Sequence, residues 1–145
     1  MQAGKLFIAV ILQFQCLLCM GQIEHDVAEA FRVADETQKP ILLVFAGSDW
    51  CAPCIRFDNQ VLSQHEFLDF AKENLVILKA DFPQRKKLPQ AEQEQNELLA
   101  EQYNPKGIFP NFVLLRLDKS VASTFSYRNQ TSKEFISEVK ASLSK

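Results

Sequence analysis

Ile41-Leu42-Leu43-Val44-Phe45-Ala46-Gly47-Ser48-Asp49-Trp50-Cys51-Ala52-Pro53-Cys54 runs from six apolar residues through a polar break into a pair of cysteines. An uninterrupted apolar run of that length is the pattern of a strand covered on both faces of a sheet. Gly47-Ser48-Asp49-Trp50 interrupts it, and residues 51–61 resume apolar positions at helical spacing. The cysteines therefore stand where a strand turns into a helix.

The flanking sequence alternates in the same way. Ile23, Val27, Ala30, Phe31 and Ala34 predict a surface helix over 23–38, stopped by Lys39-Pro40. Ser63-Gln64-His65-Glu66 has the form of a capping box and predicts a helix through Phe67, Phe70 and Ala71, ending at Asn74. A second strand is expected over 75–81, then a polar loop with Pro83, Arg85, Lys86 and Lys87. A Gln- and Glu-rich helix follows over 89–103, closed by Asn104-Pro105-Lys106-Gly107. After Pro110 come strands over 112–115 and 121–127, joined through Asp118-Lys119 as a hairpin. Thr131-Ser132-Lys133-Glu134 is another capping box, opening a last helix with Phe135, Ile136, Val139 and Leu143 on its apolar side. The order αβαβαββα predicts an α/β fold in one domain: a central mixed β-sheet flanked by helices on both faces.

Residues 1–21 read separately. Lys5 precedes a short apolar stretch with no further charge, and Cys19 and Gly21 are small enough to precede a cut before Gln22. A cleaved signal peptide is expected, and with it an exported, periplasmic protein. An uncleaved anchor is the weaker alternative, because the stretch falls short of the roughly 20 residues of a spanning helix. Of the four cysteines, Cys16 and Cys19 lie in this segment, so Cys51 and Cys54 are the pair left in an oxidising compartment. A formal charge of −2 over 145 residues gives no basic field for phosphate backbones. No nucleic-acid partner is expected.

A thiol in the first turn of a helix faces unpaired backbone N–H groups and the positive end of the helix dipole, which favour thiolate. Cys51 has that position. Cys54, one turn on, can reach it to close a disulfide. The expected chemistry is attack by Cys51 on a substrate disulfide and resolution by Cys54. Pro53 supports the motif in the first turn, where its missing N–H is no loss. Structural zinc needs four ligands, and His25 and His65 form no ligand pair, so no metal or other cofactor is expected. An inert structural disulfide would close too short a loop to stabilise much. A binding module without turnover, docking a client or holding copper(I) on two thiolates, remains the alternative.

Ser48-Asp49-Trp50-Cys51-Ala52-Pro53-Cys54 after an apolar strand resembles the thioredoxin-like superfamily, whose centre is typically Trp-Cys-Gly-Pro-Cys. The resemblance spans residues 23–143 and is nearest to small exported bacterial members with Gly-Ser-Asp-Trp-Cys before the motif. It implies a thioredoxin-like domain over 22–145, with Cys51 as nucleophile and Cys54 as resolving thiol. It also implies a substrate face of Trp50, Phe109 and Pro110, because Gly107-Ile108-Phe109-Pro110 matches the family's cis-proline segment. Pro110 should then face the cysteines, and the backbone at Phe109 should pair with a substrate strand. Two departures stand out. Phe45 occupies the place where thioredoxins carry a buried acid, so the proton of Cys54 must go to water or another group. Asp49, beside Trp50, supports the motif but is expected to be exposed and a minor proton carrier. The segment 85–102 exceeds the connection of a minimal thioredoxin and reads as a solvated charged helix. Ala52-Pro53 resembles the reducing members. The implied function is reduction of protein or peptide disulfides by a monomer, with a membrane partner resupplying electrons.

Overall fold

The computed structural model describes residues 23–144. In chain order they form β1 (Ile23–Glu24), α1 (Val27–Thr37), β2 (Ile41–Ala46), α2 (Ala52–Phe57), α3 (His65–Asn74), β3 (Val76–Asp81), α4 (Gln90–Tyr103), β4 (Asn111–Leu115), β5 (Val121–Phe125) and α5 (Ser132–Leu143). The expected signal peptide, its cut before Gln22 and the alternative of an anchor lie outside the described residues. No helix among the described residues is long and apolar enough to cross a membrane.

The strand order is β1-β3-β2-β4-β5. β1 and β2 run parallel to β3, β4 runs antiparallel to β2, and β5 runs antiparallel to β4. Every residue of β2 is buried, as the apolar run predicted. Successive side chains of a strand point to opposite faces, and here each face has its own core. Leu42 and Val44 join Phe57, Phe67, Phe112 and Phe135 beneath α2, α3 and α5. Ile41, Leu43 and Phe45 join Ala30, Ala34 and Leu99 beneath α1 and α4. With both faces covered, the polar sequence after Ala46 emerges only at the C-terminal end of the central strand, and the cysteines sit there.

Several local expectations need correction. Ile23 is not helical: it pairs with Ile77 in β1, and α1 starts at Val27 because the Asp26 carboxylate accepts the N–H of Glu29 at 2.8 Å. The helix begun at Cys51 does not run evenly to Val61. After Phe57 it widens into a π-helical turn over Asp58–Leu62. That turn uses Ser63, whose N–H donates to the Asp58 carbonyl at 2.8 Å, so the predicted capping box at Ser63 does not form. α3 begins after Gln64 without a side-chain cap. The capping box at Thr131 does form, with Glu134 reaching back to the Thr131 N–H at 2.8 Å. β5 ends at Phe125, and Tyr127 leaves the sheet to set its ring against Phe57 and its hydroxyl on Gln60 Oε1 at 2.6 Å.

Phe135, fully buried, is the hub of the larger core. Its ring centroid lies 5.0 Å from Phe57, 5.2 Å from Phe112 and 5.9 Å from both Phe67 and Phe125. It thus ties α5 to α2, α3, β4 and β5. Phe135→Ala is expected to cost about 3–5 kcal/mol through lost burial and the cavity left behind. Urea unfolding checks this, and a loss under about 1 kcal/mol would show that the site collapses or that the hub is elsewhere.

Candidate active site

Cys51 and Cys54 are joined in a disulfide with Cα atoms 5.2 Å apart. Cys51 occupies the N-cap of α2 in an extended conformation, Pro53 lies in the first turn, and the N–H of Cys54 donates to Cys51 Sγ at 3.3 Å. A sulfur placed to accept that N–H is better solvated as a thiolate than as a thiol once the disulfide opens. Both cysteines are only 4% exposed, packed with Ala46 and the ring of Phe109. One turn after Cys54, Asp58 pairs with Lys79 of β3 at 2.7 Å.

The loop before Cys51 is held by a reciprocal clasp with the loop after β3. Asp81, at the end of β3 and in register with Ala46, accepts the N–H of Ser48 at 2.9 Å and its hydroxyl at 2.6 Å. Lys86 Nζ approaches the same carboxylate at 3.1 Å. In return Asp49 accepts the N–H groups of Gln84, Arg85 and Lys86 at 2.9, 2.8 and 3.1 Å. Asp49 is half-buried rather than exposed, and its contacts organise the 84–86 backbone. Those N–H groups, Gln84 first, hold its carboxyl below the usual range against some desolvation. Burial alone would raise the carboxyl of Asp81. The Ser48 hydroxyl and N–H and the Lys86 ammonium outweigh it, so it too lies below the usual range.

Trp50 spans the two loops. Its indole N–H donates to the Phe82 carbonyl at 2.7 Å, and its ring meets Phe109 edge-on at a centroid distance of 5.6 Å. Phe109 in turn lies 5.4 Å from Phe82. Trp50 is 39% exposed, and Ile55 and Ile108 are exposed as well. Pro110 is buried immediately before β4, and the Phe109–Pro110 peptide is cis, as the resemblance implied. Phe45 is fully buried on the α1 and α4 side of the sheet, so the place of the usual acid is apolar.

Sequence reading found Trp50, Cys51, Cys54, Phe109 and Pro110, which the fold brings together at one end of the sheet. It did not find Asp81, Asn96 or Asn104. Asn96, on α4 and buried, donates from Nδ2 to the Asp81 carbonyl at 3.0 Å. The segment that read as a merely solvated helix thus braces the strand end behind Ser48. The available signal was an acid closing an apolar strand at Asp81, and an asparagine, Asn96, one turn before Leu99 and Ala100 in α4.

Asp81 carries a pH dependence. Because its folded pKa is depressed, it adds stability that is fully present above the unfolded carboxyl pKa, about 3.9, and is lost as pH falls through the lower folded value. Urea unfolding of wild type and Asp81→Asn is expected to show a stability gap at pH 7 that persists at pH 5 and closes in more acidic solution. A gap that widens on acidification would contradict the ion-paired carboxylate. Gly47 gives a separate check, since a Cβ there would lie 2.4 Å from Trp50 Cε2. Gly47→Ala is expected to lift the indole off Phe82 and red-shift emission from this lone tryptophan. An unchanged spectrum would mean that the ring sits elsewhere in solution.

Known proteins share the sequence and fold of this chain. The family described as thioredoxin-like matches residues 22–116. Over 119 residues the chain is 34% identical to the protein named disulfide bond reductase DsbH of Chlamydia pneumoniae, covering 82% of this chain and 71% of that one. The solved structure titled DsbH oxidoreductase superposes with a TM-score of 0.79 at 32% identity, covering 85% of this chain and 84% of that one. A thioredoxin from Thermus thermophilus, 17% identical, superposes at 0.63 over 84% and 87% of the two chains and shares the fold. With a cysteine pair in disulfide contact at the end of its central strand, the chain belongs to the thioredoxin-like family, as a thiol–disulfide oxidoreductase.

Proposed function

We propose that this protein works in the reducing direction, opening disulfides of exported proteins or peptides. The observation that carries the reading is the Cys51–Cys54 disulfide at the N-cap of α2, packed against Phe109, whose ring meets Trp50. The name of the Chlamydia pneumoniae relative supports the direction. So does Ala52-Pro53 between the cysteines, which lacks a histidine to stabilise the reduced thiolate.

In the reduced protein the Cys51 thiolate attacks one sulfur of the substrate disulfide. A mixed disulfide forms and one substrate thiolate leaves. Cys54 then gives up its proton and its thiolate attacks Cys51 Sγ, which releases the second substrate thiol and closes Cys51–Cys54. Two electrons have passed to the substrate. An external dithiol must return them before the next cycle, and a membrane donor fits a protein exported by a signal peptide over residues 1–21. The mature domain, 22–145, acts as a monomer. Trp50, Phe109 and Pro110 form the substrate face, Pro53 stiffens the first helical turn, and Asp49 holds the neighbouring loop. With Phe45 in the acid's place, the proton of Cys54 leaves to water or to a group such as Asp58, one turn along the helix.

Insulin reduction with dithiothreitol as donor tests the roles. Cys51→Ser is expected to abolish turnover, whereas Cys54→Ser should accumulate a mixed disulfide with its substrate. Full activity in Cys51→Ser would overturn the assignment. Equilibration with glutathione fixes the direction: a potential near about −270 mV, as in thioredoxin, supports a reductant. One near about −120 mV would make it an oxidant.

A further inference from the structure

Asn104 follows the last turn of α4 and is 4% exposed. Its carbonyl accepts the N–H of Gly107 at 2.9 Å, closing the turn Asn104-Pro105-Lys106-Gly107 at a residue with φ of 61°, which glycine adopts without a Cβ clash. The side chain of Asn104 makes bonds that the turn itself does not need. Its Oδ1 accepts the backbone N–H of Ile108 at 3.1 Å and Nδ2 of Asn111 at 3.1 Å. Its Nδ2 donates to the Ile108 carbonyl at 2.8 Å. Both main-chain polar groups of Ile108 are thus drawn onto one buried amide, which Asn111 fixes from the first position of β4.

The next residue differs. Among the described residues, neither the N–H nor the carbonyl of Phe109 makes a hydrogen bond. Its ring packs on Ala46, Cys51 and Cys54, and the neighbouring Ile108 side chain is exposed. Backbone groups left unpaired beside a reactive disulfide suit a partner that brings its own N–H and carbonyl, as an extended polypeptide does.

We infer that Asn104 is a positioning residue for polypeptide clients: by pinning Ile108 inward it holds the Phe109 backbone open, next to the disulfide, for a client strand. The inference rests on the disulfide-exchange reading above and adds a specificity to it. A client with a peptide backbone depends on Asn104. A small disulfide without one does not, because exchange at Cys51 needs only access to the sulfur.

The test compares the two kinds of substrate. For Asn104→Ala, KM for insulin is expected to rise about tenfold with kcat changed little, the scale of one or two lost hydrogen bonds. The rate at which the reduced protein cleaves 5,5′-dithiobis(2-nitrobenzoic acid), and the potential of the cysteine couple, should stay at wild-type values. Asn104→Asp is near-isosteric, keeps the acceptor for Ile108, and replaces the donor with a carboxyl oxygen that repels the Ile108 carbonyl. It is expected to show the same selective rise, and it carries the test if the alanine variant does not fold. Equal slowing toward insulin and the small disulfide, or an unchanged insulin KM, would overturn the role of Asn104 while leaving wild-type reduction intact. A wild-type protein that failed to reduce insulin would instead overturn the functional reading and this inference together.

Discussion

Strand β2 has no face open to water. It lies between β3 and β4, with α2, α3 and α5 packed on one side and α1 and α4 on the other, and each of its side chains from Ile41 to Ala46 is buried. An ionised group within such a strand would need a buried partner to offset its desolvation. Phe45 avoids that cost by being apolar. Polar chemistry is thereby displaced to the end of the strand, where Ser48 through Trp50 reach the surface and the chain turns into α2. The disulfide follows from the same constraint: Cys51 and Cys54 begin the helix that has to cover the strand just completed.

Four of the six buried polar side chains among the described residues gather at that same end. Asp81, Asn96, Asn104 and Asn111 are all buried, and all have hydrogen-bond partners. Each fixes a loop or strand end bordering the cysteines: Asp81 holds Ser48, Asn96 holds the Asp81 carbonyl, and Asn104 with Asn111 holds Ile108. In a low-dielectric setting such a network is costly when broken, so it specifies one arrangement of its loops. The apolar cores hold the sheet and helices together, and the polar network determines how the loops stand around the sulfurs. α4 carries Asn96, and Asn104 is its C-cap, so one helix and its end supply two of the four residues.

Much of the fold was legible because its signals are local. The unbroken apolar run, the helical spacing of Phe135, Ile136 and Val139 and the capping box at Thr131 each depend on residues within a turn or two of one another. The errors fell where a distant partner outweighed a local signal. Ile23 looks like the first apolar position of a helix, but β3 offers it Ile77 as a strand partner. Ser63 has the sequence of a cap, but the π-helical turn before it takes its N–H. Asp49 read as an exposed residue supporting the motif, because nothing near it in sequence reveals that the backbone of residues 84–86 will fold against it.

By itself the sequence determined the order of elements after β1, the strand-to-helix site of Cys51 and Cys54, and the pairing of those thiols, since a spacing of three on a helix brings two side chains onto one face. Only the tertiary structure decided what surrounds them. The ring of Phe109 lies on the cysteines, Trp50 bridges to Phe82, and Asp81 and Asn104 hold the loops on either side. Ser48 meets Asp81 across 33 positions, Trp50 meets Phe82 across 32, and Asn104 meets Asn111 across 7. Residues so separated meet because the sheet and its helices set their distances, and no periodicity along the chain encodes that.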